Sequence, residues 1–313
     1  MQTSETVTGQ AALEPWVGDV PEFMSAYWRT RPGVFHPADG LASPLTLDDV
    51  DQALRDGSLR VPYIEMAHTD RTIAQDAYCT ARTVNHTVHQ GFADGGKIRE
   101  QIAKGATLLL RCVEQWHPAT TALTTRLGHQ LGRKAEAFFF VTPPGRQGLR
   151  VHRDDADVFV LQVNGSKDWQ LHTGPADGHW HPGPVAEPGP ALLTPTLHPG
   201  DVLYIPRGFA HSAVGSHGLS AHLSLTVRDI GGQHLYRELL RRLTDGYRPQ
   251  PRPLDDTALT DQARDLVGHL SAALARTTPE QLVAAARQSL RAEAVSNPEP
   301  GLRAMAASLE ATP

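Results

Sequence analysis

Two stretches of the sequence decide the fold class: HRDDADVFVLQVNGSKDWQLH at residues 152–172 and HPGDVLYIPRGFAHSA at residues 198–213. Five short apolar runs lie in and around them: FFFVT (138–142), DVFVLQV (157–163), DWQLH (168–172), VLYIP (202–206) and SAHLSLTV (220–227). Short apolar runs bounded by Gly, Pro, Asn and Ser are typical of strands, and Asn164-Gly165-Ser166 predicts the turn between the second and third. Residues 138–227 are therefore predicted to form an antiparallel barrel or a double-sheet jelly roll.

Helical patterns flank this β region on both sides. Phe23, Met24 and Tyr27 recur at helical spacing, and Thr46 is a candidate cap for a helix that runs through Leu54. Beyond residue 228, leucines recur four residues apart, and TPEQ at 278–281 has the cap, proline and glutamine of a helix start. The sequence therefore predicts a mainly β protein with helical ends.

Composition narrows the class of function. The 313 residues include 29 Lys plus Arg and 34 Asp plus Glu, a net charge of −5, which argues against direct binding of nucleic acid or an anionic membrane. Two cysteines without a CxxC motif predict free thiols in a reducing cytoplasm. Residues 1–15 lack the basic start and apolar run of a signal peptide, and no run approaches the roughly 18 apolar residues of a membrane span. We therefore expect a cytoplasmic protein without a membrane partner.

A metal-ligand pattern lies in the two stretches. His152 and Asp154 are two apart in an extended chain and therefore point to the same face, and His211 follows a turn set by Gly and Pro. Two imidazoles and one carboxylate are the ligands of a non-haem Fe(II) facial triad. An HxD motif alone occurs often by chance, and a lone histidine among sixteen is more often structural. The order of both elements on successive β segments favours ligation over the loop histidines, which are His86, His89, His179 and His181.

A buried cation is predicted beside this pattern. Lys167, Trp169 and Leu171 share one strand face, and an ammonium that looks into a barrel requires an anion. In 220–227 the polar residues alternate with apolar ones, which indicates either a solvent face or a polar lumen; proximity to His211 favours the lumen. The polar stripe comprises Ser220, His222, Ser224 and Thr226. On this reading, Thr226 hydrogen-bonds the same carboxylate as Lys167.

Together these motifs resemble a known family. Residues 143–171, 198–213 and 220–227 are similar to JmjC-type cupin oxygenases, and most similar to the ribosomal oxygenase-like subgroup. Residues 21–36 also resemble the N-terminal part of that subgroup. The resemblance implies a double-stranded β-helix (jelly-roll or cupin) core flanked by α-helices. It divides the chain into a flexible N-terminal tail (1–20), an oxygenase domain with a helical N-terminal part (21–232) and a C-terminal helical region (233–313) that forms a homodimer.

The resemblance also assigns site residues and cofactors. It implies Fe(II) ligation by His152, Asp154 and His211, with 2-oxoglutarate and O2 as cosubstrates. It further implies that Lys167 pairs with the distal carboxylate of 2-oxoglutarate. The residues expected to assist there are Thr226, which would hydrogen-bond that carboxylate, and Leu149, which would pack near it. Three residues depart from the subgroup: Phe138 stands for an Asn, Phe140 for a Tyr, and Arg228 for a small polar residue.

The function implied is hydroxylation of a polypeptide side chain, with the β-carbon of an Arg or His favoured. A ribosomal protein or a ribosomally made peptide precursor would be the substrate, and the departures put the former in doubt. Substrate contacts are expected from Arg153, Asp155, Arg228 and the loop 173–190. Two alternatives remain: a small-molecule natural-product hydroxylase that uses the same iron site, and a non-catalytic metal-binding cupin.

Overall fold

A computed structural model of the chain describes residues 12–38, 40–69, 71–249, 251–293 and 301–310. The α-helices in these ranges are α1 (Glu14–Val17), α2 (Val20–Ala26), α3 (Leu47–Asp56), α4 (Gly95–Ala103), α5 (Pro118–Leu131), α6 (Gly232–Thr244), α7 (Asp256–Ala275), α8 (Pro279–Ala292) and α9 (Leu302–Glu310). Short 3₁₀ turns lie at Gln75–Ala77 and Val113–Gln115. No helix in the described part of the chain is long and apolar enough to cross a membrane.

The strands of the first half are β1 (Gly33–Phe35), β2 (Ile64–His68), β3 (Arg71–Thr72), β4 (Cys79–Val84), β5 (Thr87–Ala93), β6 (Thr107–Leu110) and β7 (Lys134–Thr142). Those of the second half are β8 (His152–Arg153), β9 (Asp157–Asn164), β10 (Lys167–His172), β11 (Gly183–Pro184), β12 (Ala191–Leu193), β13 (Thr196–Leu197), β14 (Val202–Ile205), β15 (His211–Gly215) and β16 (Ser220–Arg228). All five predicted strands are therefore present.

Two antiparallel sheets face each other, as the jelly-roll prediction requires. The larger sheet has the order β1-β14-β9-β16-β7-β6-β2-β3, and the smaller has the order β11-β8-β15-β10-β12, with β13 paired to β10. The hairpin β4-β5 forms a separate sheet of two strands. A mainly β fold with a double-stranded β-helix core flanked by helices is confirmed.

Both faces of the larger sheet are buried, which explains its nearly continuous apolar strands. On β9, Phe159 and Leu161 belong to the core beneath the helices, whereas Val158 and Val160 belong to the core between the sheets. The alternation continues on β16, where the apolar residues face the helices and three residues of the polar stripe, His222, Ser224 and Thr226, line a cavity between the sheets. The prediction of a polar lumen is therefore confirmed.

The chain before residue 21 is partly built into the core. Leu13 and Trp16 are 1% and 5% exposed, and the backbone N–H of Leu13 donates to Oε1 of Gln130 at 3.0 Å. The ring of Trp16 meets Phe159 edge-on at 6.5 Å. The predicted flexible tail is thus wrong for residues 12–20, because their apolar side chains cover the outer face of the larger sheet. Residues 1–11 lie outside the described residues.

The predicted helices are present, and their caps are those expected. Thr46 and Asp49 form a reciprocal capping box at α3, and Thr278 and Gln281 form another at α8. Helix α5 ends at Gly132, whose φ of 62° gives the left-handed conformation that favours glycine. The division of the chain at residues 20 and 232 stays a prediction, apart from the correction above.

A buried carboxylate links the C-terminal helices to the rest of the fold. Asp229, directly after β16, forms ion pairs with Arg29, Arg133 and Arg287 at 2.9, 2.9 and 3.2 Å. We call these four residues the Asp229 cluster. Burial raises the pKa of Asp229, but the hydrogen bond from Arg287 and the other two guanidiniums hold it at about 2. Helix α8 is therefore docked by charge as well as by packing.

Candidate active site

The two predicted histidine ligands lie opposite each other on neighbouring strands. His152 on β8 pairs in register with His211 on β15, and their ring centroids are 4.4 Å apart. Nε2 of His152 lies 3.6 Å from Oδ1 of Asp154, and Nε2 of His211 lies 3.5 Å from Oδ2 of the same residue. The three side chains offer ligand atoms within 4.8 Å of one another and could hold a metal ion.

The hydrogen bonds of both imidazoles prepare them for metal binding. Nδ1 of His152 lies 2.8 Å from the carbonyl oxygen of Arg150, and Nδ1 of His211 lies 3.0 Å from that of Phe209. A carbonyl oxygen can only accept, so each Nδ1 carries the proton and each Nε2 presents its lone pair towards Asp154. Burial lowers the pKa of His211 well below its usual value, which keeps the ring neutral at pH 7.

The turn before His211 is tied to the HxD segment. Gly208 has φ 83°, and a Cβ there would lie 3.1 Å from Trp180 and Pro175. Its N–H donates to the carbonyl oxygen of Asp154 at 3.0 Å, and its own carbonyl accepts from Nη1 of Arg153 at 3.0 Å. Gly208 therefore supplies both the conformation and the close approach that bring the third ligand to the first two.

A cavity of about 270 Å³ between the sheets contains the three ligand side chains. Leu149, Phe138 and Phe140 line it, so the predicted cosubstrate neighbour and two of the three departures face this space. Arg228 also lines it and is paired with Glu136. The sequence did not point to Glu65 and Arg111, which line the cavity as an ion pair. Nε of Arg111 donates to Oε2 of Glu65 at 2.9 Å.

Lys167 is buried at the far end of β10 from the ligands, with 2% of its surface exposed. Its ammonium donates to Oγ1 of Thr142 at 3.1 Å and contacts Nδ1 of His222 at 3.2 Å. No ion pair joins it to a carboxylate among the described residues, and burial lowers its pKa to about 7. The predicted buried cation in need of an anion is therefore present.

Thr226 forms no hydrogen bond with Lys167 among the described residues, and the prediction that both bind one carboxylate stays a prediction. Lys167 contacts His222. Thr226 lies four residues further along β16, so its Cα is about 13 Å from that of His222 at about 3.3 Å per residue. Its hydroxyl instead donates to the carbonyl of Glu136 at 3.4 Å. The alternation of polar and apolar residues places Thr226 and His222 on the same face of β16, but it does not say which of them lies level with Lys167. Thr142 and His222 are the neighbours that the sequence did not assign to Lys167.

Two predicted substrate contacts are not brought to the cavity. Arg153 follows His152 directly in β8, so strand alternation places it on the opposite face. Its guanidinium donates to the carbonyl oxygen of Gly208. Asp155 accepts from Nε of Arg207 at 2.6 Å, and neither Arg153 nor Asp155 is among the residues that line the space. Both residues brace the ligand loops, whereas Arg228 remains a candidate contact.

One part of the chain is similar to a known domain. The model of the JmjC domain matches residues 115–235, a range that contains all three ligand residues and Lys167. This part of the chain is therefore similar to JmjC domains. The match spans β7 to β16, which are four of the eight strands of the larger sheet and all strands of the smaller one. The cavity also has lining residues outside the matched range, among them Glu65 and Arg111.

Relatives extend the similarity beyond the JmjC domain. The chain is 35% identical to ribosomal oxygenase 1 of Rattus norvegicus over 141 residues, which cover 42% of this chain and 24% of the relative. It is 27% identical over 221 residues to the bifunctional lysine-specific demethylase and histidyl-hydroxylase NO66 of Culex quinquefasciatus, covering 66% of this chain and 32% of the relative. The matched part thus spans about a quarter to a third of these relatives.

A solved structure shares the fold. The Escherichia coli ribosomal oxygenase YcfD, solved with cobalt and 2-oxoglutarate, superposes with a TM-score of 0.54 at 19% identity. The superposition covers 85% of this chain and 69% of that one. At this identity the likeness shows the fold alone.

Proposed function

We propose that the protein is an Fe(II)- and 2-oxoglutarate-dependent hydroxylase of a polypeptide side chain. The observation that carries the proposal is the convergence of His152, Asp154 and His211, with both Nε2 lone pairs directed by hydrogen bonds on Nδ1. Two neutral imidazoles and one carboxylate suit Fe(II) with open positions for cosubstrates. The fit extends to the cosubstrate, because the buried Lys167 ammonium has no described acidic partner.

The bound iron and 2-oxoglutarate would supply the activation of O2 that places one oxygen atom into a C–H bond. Residues of the chain bind the metal, bind the cosubstrate and exclude water. His152, Asp154 and His211 hold the metal, and Lys167 binds the distal carboxylate as a buried cation. Phe138, Phe140 and Leu149 are among the apolar residues of the cavity lining, which exclude water from the reacting groups.

The polypeptide substrate is supported by the similarity to ribosomal oxygenases and NO66 and by the charges that line the cavity. Glu65, Arg111 and Arg228 offer both signs of charge to a side chain and its peptide groups. We infer an Arg or His side chain as the target, hydroxylated at the β-carbon, in a ribosomal protein or a peptide precursor.

The test is succinate formation by anaerobically purified protein supplied with Fe(II), 2-oxoglutarate and O2, with and without Arg- and His-containing peptides. His152→Ala and Lys167→Met should abolish turnover. The matched controls are His86→Ala, in the exposed turn between β4 and β5, and Lys104→Met, whose side chain is 62% exposed; both should keep turnover. Succinate that rises with a peptide, together with a peptide mass gain of one oxygen atom, is the expected result.

Other outcomes would redirect the proposal. Succinate that no peptide raises would favour a small-molecule natural product as substrate. Protein that holds iron but forms no succinate would refute the enzyme and leave a non-catalytic metal-binding cupin.

The proposal includes a homodimer in the cytoplasm. Helices α6 and α7 expose apolar side chains, among them Tyr236 (62%), Leu240 (44%) and Val267 (63%), and such a surface suits a second copy of the chain. The two cysteines are free, in keeping with a reducing compartment. Light scattering at increasing protein concentration would measure the mass, and a monomer throughout would refute the dimer.

A further inference from the structure

His222 occupies a fixed place on the cavity wall beside Lys167. It is 3% exposed and stands on the polar stripe of β16. Its ring lies parallel to Phe140, at 4.8 Å between centroids and an angle of 7°, and Trp169 meets it edge-on at 5.4 Å and 75°. Two aromatic neighbours at right angles to each other leave the imidazole little freedom to rotate.

The contact with Lys167 defines which nitrogen of His222 carries the proton. Nδ1 of His222 lies 3.2 Å from Nζ of Lys167, and an ammonium has donors only. Nδ1 must therefore accept when Lys167 is charged, and the ring proton is on Nε2. Burial and the neighbouring ammonium hold the pKa of His222 well below its usual value, so the ring is neutral.

The two acceptors also determine the direction of the remaining Lys167 donor. An ammonium has three N–H groups in a tetrahedral arrangement, and Thr142 Oγ1 and His222 Nδ1 accept two of them. The third is left for a ligand. Gly148 also lies beside the ammonium, since a Cβ at this position would lie 3.9 Å from Nζ. A side chain at position 148 would therefore narrow the approach to the ammonium.

We propose that His222 is a positioning residue for the distal carboxylate of the cosubstrate: it holds Lys167 through Nδ1 so that the free N–H of the ammonium points at the carboxylate. The inference rests on the proposed function, because it takes 2-oxoglutarate as the ligand of Lys167. His222 acts through Lys167 and does so as an uncharged acceptor, which leaves the positive charge of the ammonium to the ligand.

The experiment measures binding of two keto acids to the full chain loaded with Mn(II), by calorimetry. 2-Oxoglutarate has the distal carboxylate, whereas 2-oxopentanoate has the same carbon chain without it. His222→Phe keeps the aromatic stack but lacks Nδ1, and His222→Asn restores an acceptor oxygen near the same place. Loss of one hydrogen bond to a charged group should weaken 2-oxoglutarate binding about tenfold or more in His222→Phe.

The expected pattern is loss of affinity for 2-oxoglutarate in His222→Phe, recovery in His222→Asn, and no change for 2-oxopentanoate in either variant. Equal weakening of both ligands, or undiminished 2-oxoglutarate binding in His222→Phe, would overturn the inference and leave the proposed function standing. Wild-type protein that binds no 2-oxoglutarate would instead overturn the proposed function. Independently of the variants, a long-range proton–nitrogen NMR spectrum of the ligand-bound wild type should show Nε2 protonated; a protonated Nδ1 would contradict the inference.

Discussion

Replacing Lys167 by methionine should stabilise the empty fold while it destroys the cosubstrate site. Burial lowers the pKa of Lys167 from 10.5 to about 7. An unfolded lysine keeps its proton up to a pH of about 10.5, so the unfolded state binds more protons than the folded state between these two values. The wild-type free energy of unfolding therefore contains a destabilising contribution that is complete below pH 7 and is relieved as the pH rises towards 10.5.

The size of the effect follows from the shift in pKa. About 3.5 units correspond to about 5 kcal/mol when the group is fully charged, and to about 4 kcal/mol at pH 7, where half of the folded molecules have already lost the proton. Methionine has similar length and no charge, but it leaves Thr142 and His222 without a partner, at about 1 kcal/mol each. The net gain for Lys167→Met is about 2 kcal/mol at pH 7 and falls to about zero near pH 9.

The difference in the free energy of unfolding between Lys167→Met and the wild type is measured by urea unfolding, followed by tryptophan fluorescence at pH 7 and pH 9. Lys104→Met is the control at an exposed position. Saturating 2-oxoglutarate at about a hundred times its dissociation constant should add about 3 kcal/mol to the metal-loaded wild type and nothing to Lys167→Met. The order of stability of the two proteins therefore reverses when the ligand is added. A variant less stable than the wild type in the empty state at pH 7, or one still stabilised by 2-oxoglutarate, would refute the reasoning.

Three further predictions concern the fold and the limits of the site. Asp229→Asn should lower the free energy of unfolding by about 2 kcal/mol at pH 7. The pKa of Asp229 in the folded protein lies below the unfolded value of 3.8, so the greater stability of the wild type should disappear as the pH falls from about 4 to about 2. Acid titrations monitored by circular dichroism measure this loss. Thr226→Val should leave the calorimetric affinity for 2-oxoglutarate within about twofold, since about 13 Å of strand separates it from the Lys167 contact, and a tenfold loss would contradict that placement. Phe23→Ala should cost about 3–5 kcal/mol in urea unfolding, because Phe23 is 1% exposed and meets Tyr204 edge-on at 4.9 Å; a loss below about 1 kcal/mol would mean that the N-terminal segment is not part of the core.

Much of the metal site could be predicted because its determinants are local. His152 and Asp154 are two residues apart, and strand alternation alone puts them on one face. The Gly and Pro residues before His211 set a turn whose conformation few other residues can adopt, as the φ of 83° at Gly208 shows. Lys167 was identified as a buried cation on the same grounds, since the strand face it shares with Trp169 is apolar.

The errors share one cause, which is contact between elements distant in the sequence. Alternation places Thr226 and His222 on the same face, but the packing of the smaller sheet, which holds Lys167, against the larger one decides that His222 contacts the ammonium. Similarly, nothing local in residues 12–20 reveals that Leu13 and Trp16 cover the larger sheet. Arg153 is recruited by the carbonyl of Gly208, a residue more than fifty positions away.

The sequence by itself determined the class of fold, the three ligand side chains and the presence of a buried cation, because strand period and turn chemistry operate within a few residues. Only the tertiary structure decided the contents of the cavity: the partners of Lys167, the charged pair Glu65–Arg111, and the bracing roles of Arg153 and Asp155. The physical reason is that the period of a strand specifies the face on which a side chain lies, whereas its neighbours depend on the register between strands that the chain brings together from afar.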